Sequence, residues 1–330
     1  MLDRLQRPLR DLRLSLTDRC NFRCRYCMPI EVFGPGYQFL PRQEILNFDE
    51  LVRTVRASIE LGVSKVRLTG GEPLLRRGVE DLVAMIAAVP GVEDLAMTTN
   101  GILLNHHAEG LVAAGLDRVT VSLDALDEET FAKMNGVGAK LERVLLGIQS
   151  AQEVGLPVKI NMVVQRGVNE QEIVPMIRWS HDAGVTMRFI EFMDVGETNG
   201  WDTRQVVTAR EILEIVNEQF PVEEVPAAYP GEVAKRWRFL DGAGEFGIIS
   251  SVSQPFCRDC SRLRVSAEGK AFTCLFAGGG GDLRDCLRSV DSDEEITEFI
   301  RGLWGERKDR YSEERGEVDR PKAEMSYLGG

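Results

Sequence analysis

The sequence predicts an α/β protein, an incomplete (β/α)6 TIM-like barrel followed by a smaller C-terminal domain. Three observations carry this. Between residues 11 and 220, six short β-branched or apolar runs alternate with six longer segments of helical period. Consecutive βα units imply parallel strands joined by right-handed crossovers, as in a barrel or a doubly wound sheet. The residues able to do chemistry gather at the C-terminal ends of the runs, in TDRC, TGGEP, TTNG, SLD and FMD, where barrel folds place their sites.

Taken in order, the strand-like runs are DLRLSLT (11–17), KVRLTG (65–70), DLAMTTN (94–100), RVTVSLD (118–124), VKINMVVQ (158–165) and MRFIEFM (187–193). Amphipathic segments are predicted as helices over 48–62, 78–89, 106–115, 139–155, 170–184 and 209–220, several closing on glycine, the usual left-handed cap. A closed barrel takes eight units and only six are read, so the barrel is expected to stay open. After FPVEEVPAAYPGE (220–232) the periodicity changes. VAKRWRFLDGAGEFGIISS (233–251) reads as two strands around a Gly-rich turn, and the remainder of the chain as loop. These shifts place a boundary near 225, giving domains 1–225 and 226–330. From residue 291 the chain is charged and reads as a helix followed by a mobile tail.

The formal net charge of -12 argues against a nucleic-acid surface, which normally carries a basic patch. It leaves room for an anionic small ligand in a locally basic pocket, because exposed charges are screened over about 8 Å. No apolar run approaches the roughly 18 residues of a membrane span, and MLDRLQRPLRDLRL lacks the apolar stretch of a secretory signal. The expected location is therefore cytoplasmic, with no membrane and no nucleic-acid partner. In such a compartment seven cysteines at 20, 24, 27, 257, 260, 274 and 286 read as metal ligands before disulfides.

Cys20, Cys24 and Cys27 fall within TDRCNFRCRYCMP, in C-x3-C-x2-C spacing. A structural zinc ion wants four ligands, and a ferredoxin-type cluster four cysteines. The third option is a four-iron cluster held at three irons, with the fourth open to a small molecule. The triad after the first strand and GGEP after the second resemble the radical S-adenosylmethionine superfamily. That resemblance implies that S-adenosylmethionine chelates the open iron and is cleaved by one electron to a 5'-deoxyadenosyl radical. It further implies contacts to S-adenosylmethionine from Tyr26, Gly71, Ser122 and Met193. Without the resemblance, GGEP alone is an ordinary βα turn and Met193 an ordinary core residue.

Cys257 and Cys260 form C-x2-C in QPFCRDCSRLRV, and Cys274 comes later in FTCLF, again three sulfurs with no obvious fourth. Cys286 completing a zinc site is the alternative, while His106, His107 and His181 belong to predicted helices. Two three-cysteine sets suggest two open-site clusters facing one cavity, hence a C-terminal cluster-binding domain. From DLRLSLTDRCNFRCRYCMP through KVRLTGGEPLLR, TTNG and VSLD to FCRDCSRLR and the terminal GG, the chain resembles the GTP 3',8-cyclase family of molybdenum cofactor biosynthesis. The resemblance implies two [4Fe-4S] clusters and S-adenosyl-L-methionine as cofactors. It implies GTP as substrate, its guanine at the second cluster, and (8S)-3',8-cyclo-7,8-dihydroguanosine 5'-triphosphate as product. GTP contacts are implied for Arg13, Arg67, Thr98, Lys159, Arg262, Leu263 and Arg264, and a catalytic role for Gly329 and Gly330. An electron donor and a downstream cyclic pyranopterin monophosphate synthase are the implied partners, and a homodimer is left open.

The residues themselves support an anionic ligand. Arginine or lysine within a buried parallel strand is costly unless paired, yet Arg13, Arg67, Lys159 and Arg188 fall on predicted strands. Arginine's planar fork suits phosphate oxygens, each charge-assisted bond contributing on the order of 1.5–3 kcal/mol. Lys65 and Arg188 carry no assigned role. Three other readings stand beside this one: a radical peptide-modifying enzyme with an auxiliary cluster domain, a non-catalytic zinc- or cluster-binding protein, and a carrier activated at its Gly-Gly end.

Overall fold

The computed structural model describes residues 1–229, 231–316 and 321–329. Its six βα units follow the expected order. Strands β1 (Asp11–Ser15), β2 (Lys65–Thr69), β3 (Asp94–Thr99), β4 (Arg118–Ser122), β5 (Val158–Val164) and β6 (Thr186–Glu191) pair in parallel, each with the next. Helices α1 (Phe48–Ile59), α2 (Val79–Ala87), α3 (Leu104–Ala113), α4 (Glu128–Asn135), α5 (Leu141–Glu153), α6 (Ile173–Asp182) and α7 (Ala209–Gln219) lie between and after them. Asn47 and Thr208 start α1 and α7 with reciprocal capping boxes, to Glu50 and Glu211.

The segment after α7 continues the same sheet at both edges. Strands β7 (Val222–Val225), β8 (Lys235–Phe239) and β9 (Glu245–Ile249) form an antiparallel meander whose last strand runs parallel to β6. At the other edge β10 (Arg262–Val265) runs parallel to β1, and β11 (Lys270–Phe272) and β12 (Gly281–Asp282) extend it antiparallel. The twelve strands follow the order β12-β11-β10-β1-β2-β3-β4-β5-β6-β9-β8-β7, an open arc and not a closed barrel. Eight of them, β10, β1–β6 and β9, are mutually parallel, although only six belong to βα units.

The structure corrects two expectations. The stretch after residue 251 is not merely loop, since it contains β10–β12, α8 (Leu283–Ser289) and α9 (Asp293–Gly305). The described residues of the tail after α9 are packed: Arg307, Tyr311 and Leu328 are buried, and a short helix α10 (Met325–Leu328) precedes Gly329.

Alternation along the strands explains where core and cavity lie. Leu12, Leu14, Val66, Leu68, Val119, Val121, Ile160 and Met162 are wholly buried in the helix-facing core. The intervening Arg13, Arg67, Thr98, Lys159 and Asn161 face the concave side. Parallel strands buried on both faces normally read as unbroken apolar runs. Here the inner face lines a chamber, so period two survives. No helix among the described residues is long and apolar enough to cross a membrane.

Candidate active site

The chamber inside the arc has a volume of about 540 Å³, and all six cysteines of the two triads line it. Cys20, Cys24 and Cys27 follow the C-terminal end of β1, whereas Cys257 and Cys260 precede the N-terminal end of β10 and Cys274 follows antiparallel β11. The second triad therefore lies at the opposite mouth from the one where barrel chemistry was expected. The five residues of β1 separate the two, roughly 16 Å at about 3.3 Å per residue.

The first loop is held by its neighbours. Gly71 N donates to Thr17 O at 2.7 Å and Glu72 N to Arg19 O at 2.8 Å, which staples GGEP to the base of the cysteine loop. A Cβ on Gly71 would collide with Arg19 O, so only glycine allows this approach. Buried Glu72 accepts from Leu74 N, Thr99 Oγ1 and Asn100 N at 3.0, 2.7 and 2.8 Å, and Asn100 Nδ2 donates to Asn21 Oδ1 at 2.7 Å. Arg23 ties the loop to itself through Phe33 O, Cys20 O and Phe22 O. The loop docks on α4, with Arg23 N bonded to Asn135 O at 2.8 Å and Phe22 edge-on to Phe131. Tyr26 OH donates to Asp124 Oδ2 at 2.9 Å, and burial pushes the Asp124 carboxyl up to about 6.

The second triad is held from both chain ends. Arg7 and Arg307, both buried, share Asp3: Arg7 Nε is 2.6 Å and Arg307 Nη1 3.6 Å from Asp3 Oδ2. Arg7 Nη1 donates to Cys257 O at 2.8 Å, and Arg307 to Cys260 O at 2.6 Å and Cys260 Sγ at 3.1 Å. Burial disfavours a Cys260 thiolate, but Arg262 and Arg307 outweigh it and bring the thiol down to about 6. Four of the chamber thiols move the opposite way: burial pushes Cys20 and Cys274 up to about 11, and Cys24 and Cys27 higher still.

Between the triads lies a layer of cations. Arg13 pairs in register with Arg67 on one side and Arg264 on the other. Arg67 Nη1 donates to Thr98 Oγ1 (3.0 Å) and Thr120 Oγ1 (3.2 Å), and Arg188 Nη2 to Thr120 Oγ1 (3.1 Å), all neutral hydroxyls. Asp94 is engaged by Arg118 and Lys65 at 2.6 and 3.5 Å, and Asp11 is 3.7 Å from Lys65. Burial first, and repulsion from neighbouring cations second, lower Arg13 and Arg67 to about 9, Lys159 to about 8 and Arg188 to about 10. Arg188 Nε, Arg262 Nε, Arg264 Nη1 and Asn161 Oδ1 are buried without a hydrogen-bond partner among the described residues. A buried polar group left unpaired costs about 1–3 kcal/mol, more when charged; the three guanidinium nitrogens are donors that an anion would satisfy, whereas Asn161 Oδ1 is an acceptor and calls for a donor.

Tyr26, Gly71, Ser122 and Met193 line the same chamber as Arg13, Arg67, Thr98, Lys159, Arg262 and Arg264. Leu263 does not: its side chain, on the other face of β10, is 0% exposed in the core. Gly329, at φ +69, lies against Thr69 and Gly70 of the chamber wall, and Gly330 falls outside the described residues. Cys286 is on α8, away from both triads, with Glu295 O at 4.0 Å from its sulfur. All seven cysteines are free thiols. Among the described residues no three His, Cys, Asp or Glu side chains close on a single ion. Six thiols in two sets suit a larger inorganic core, which spreads its ligands further apart.

Residues 14–180 match the family description Radical SAM superfamily and residues 185–313 match Molybdenum Cofactor Synthesis C. A GTP 3',8-cyclase of Acidothermus cellulolyticus is 51% identical, over 99% of this chain and 98% of the relative. One of Staphylococcus haemolyticus is 48% identical over the same shares. Two solved structures share the fold at 15% identity. Streptococcus suis SuiB bound to S-adenosylmethionine has a TM-score of 0.61, over 81% of this chain and 60% of that one. AnSMEcpe with bound AdoMet has a TM-score of 0.57, over 89% and 83%. With the curated relatives matched nearly end to end, the chain belongs to the GTP 3',8-cyclase family within the radical SAM superfamily.

Proposed function

We propose that this protein cyclises GTP to (8S)-3',8-cyclo-7,8-dihydroguanosine 5'-triphosphate, the first step of molybdenum cofactor biosynthesis. The observation that carries the reading is the layer of strand cations between two three-cysteine sets in one chamber, with Arg188 Nε, Arg262 Nε and Arg264 Nη1 unpaired among the described residues. Cys20, Cys24 and Cys27 would hold one [4Fe-4S] cluster, and Cys257, Cys260 and Cys274 a second, each with an open iron. When bound, the first cluster with S-adenosylmethionine supplies a one-electron cleavage yielding an adenosyl radical able to take a ribose hydrogen.

The chain's own residues set the geometry. Tyr26, Gly71, Ser122 and Met193 line the first mouth and would seat S-adenosylmethionine. Arg13, Arg67, Lys159, Arg262 and Arg264 would grip the triphosphate, with Thr98 orienting Arg67 through their 3.0 Å bond. Leu263 can contribute only its backbone, since its side chain is in the core. Gripping the triphosphate on the chamber wall, with the guanine at the second triad, would hold the ribose that joins them within reach of a radical formed at the first, a positioning effect of the kind that dominates such reactions. Gly329, wedged against Thr69, would close the wall and exclude water with Gly330 as its extension.

In this reading residues 1–225 generate the radical and 226–330 supply the second cluster and the tail. It brings with it a cytoplasmic setting, a low-potential electron donor and a downstream cyclic pyranopterin monophosphate synthase. The test uses anaerobically reconstituted enzyme, S-adenosylmethionine, reductant and GTP deuterated at C3'. Label should appear in 5'-deoxyadenosine together with a cyclised, acid-labile product. Unlabelled 5'-deoxyadenosine with intact GTP would overturn the proposal.

A further inference from the structure

The loop leaving β6 grips the C-terminal strap at two places. Asp194, 5% exposed, accepts from Tyr311 OH at 2.5 Å, Arg315 Nε at 2.9 Å and Lys322 Nζ at 3.2 Å. Those donors are spread along the strap, so a single carboxylate gathers it. Three residues on, the grip reverses. Glu324, which precedes α10, accepts from Glu197 N at 2.9 Å and Thr198 Oγ1 at 2.8 Å. Gly196 lies between at φ +74, and a Cβ there would strike the Glu324 carboxylate. The dihedral favours glycine there, and a side chain would have to push the Glu324 carboxylate off its hydrogen bonds.

The apolar side of the same loop ties it to both mouths of the chamber. Val195, Phe276 and Tyr311 form a small core separate from the main one, and Met193, Cys274, Leu275 and Met325 pack around it. Phe276 and Tyr311 stack at 4.5 Å and 22°. One knot therefore touches the proposed S-adenosylmethionine contact Met193, the second-triad ligand Cys274 and the helix that presents Gly329.

We propose that the Asp194–Thr198 loop is the clasp that seats the C-terminal strap, with Asp194 as its positioning residue. The chain end is thereby fixed to the backbone that carries Met193. This rests on the reading of Gly329 and Gly330 as catalytic, but the fastening can be measured without it. Asp194 touches neither ligand, so its effect runs through the placement of the tail, and a small misplacement of a catalytic group is enough to lower turnover strongly.

The experiment compares reconstituted wild-type enzyme with Asp194→Asn and Lys322→Met, the second removing a partner from the strap side should the first fold poorly. The readouts are amide hydrogen exchange of the C-terminal peptide, iron per chain, and cyclised product per S-adenosylmethionine cleaved. Expected are about tenfold faster exchange of the terminal peptide, unchanged iron, and about tenfold less product per cleavage. Restoring the charge as Lys322→Arg should recover both. Unchanged exchange in both variants overturns the clasp. Faster exchange with an unchanged product ratio leaves the fastening standing and overturns the catalytic reading of the tail.

Discussion

Half-buried Arg13 on β1 stands directly opposite buried Arg264 on β10 in the parallel register, two guanidiniums side by side. Burial first, then repulsion from Arg13 and Arg262, pushes Arg264 well down. The ligand-free chain carries an electrostatic penalty that a triphosphate would relieve. Replacing Arg264 with Met should therefore stabilise the ligand-free protein by about 1 kcal/mol or more. It should weaken GTP binding by roughly 10- to 150-fold, the loss of one charge-assisted contact. Thermal melts with and without GTP check both signs, and a destabilised ligand-free variant that still binds GTP normally would contradict the assignment.

Lys159 gives the site a pH dependence with two opposite trends. Burial, then repulsion from Arg188 on β6, Arg118 on β4 and Lys65 on β2, lowers its ammonium to about 8, with Glu232 opposing. Between that value and the usual 10.5 the unfolded chain holds a proton that the folded chain has released. Lys159 thus contributes stability that rises with pH through this window, because the unfolded state binds more protons there. GTP affinity should move the other way, falling as pH rises through about 8 because the charged form is the one that holds phosphate. Calorimetric titration of GTP from neutral to alkaline pH should show this fall in the native protein and a weaker, flatter profile in Lys159→Met.

Gly329 is fitted to its place by dihedral and by contact. A Cβ built on it would lie 2.5 Å from Thr69 Cγ2, and its φ of +69 disfavours any side chain by roughly 1–2 kcal/mol. Gly329→Ala should keep both clusters and both ligands while product formation falls by at least about tenfold. Adding Thr69→Ser removes the struck methyl and should restore part of the loss. An active Gly329→Ala variant would return the tail to a purely structural part.

At the first mouth, Gly71→Ala should fail for a different reason. The new methyl would occupy the space of Arg19 O and push apart the hydrogen bonds from Gly71 N to Thr17 O and from Glu72 N to Arg19 O. Iron retained per chain should drop by about half while the second triad stays loaded, since the two loops are anchored independently. Iron analysis of the reconstituted variant reads this directly.

The six βα units are legible in the sequence because each buries one face against the helices, and that imposes a period. The i, i+2 spacing of Arg262 and Arg264 suits an extended strand, but the place of β10 in the sheet is not legible: the arginines fill the inward positions, and its partner β1 lies some 250 residues away in sequence. Helix α4 escapes a reading by periodicity because its eight residues are too short to show a stripe, yet it carries the docking surface for the cysteine loop. The cysteines and strand arginines stand out by type and spacing. Glu72, Asn100 and Asp124 lie inside the GGEP, TTNG and VSLD motifs, and only the folded geometry reveals their bonds. Asp3 and Arg7 pair locally, four residues apart, but the links from Asp3 to Arg307 and from Asp194 to Arg315 join segments far apart in sequence and leave no local signal.

Iron and zinc analysis of anaerobically reconstituted protein tests the central claim most directly, comparing the native chain with one whose Cys257, Cys260 and Cys274 are all Ala. The account predicts about eight irons and negligible zinc for the first and about four irons for the second, which should still cleave S-adenosylmethionine without converting GTP. Stoichiometric zinc, or about four irons in both proteins, would contradict it.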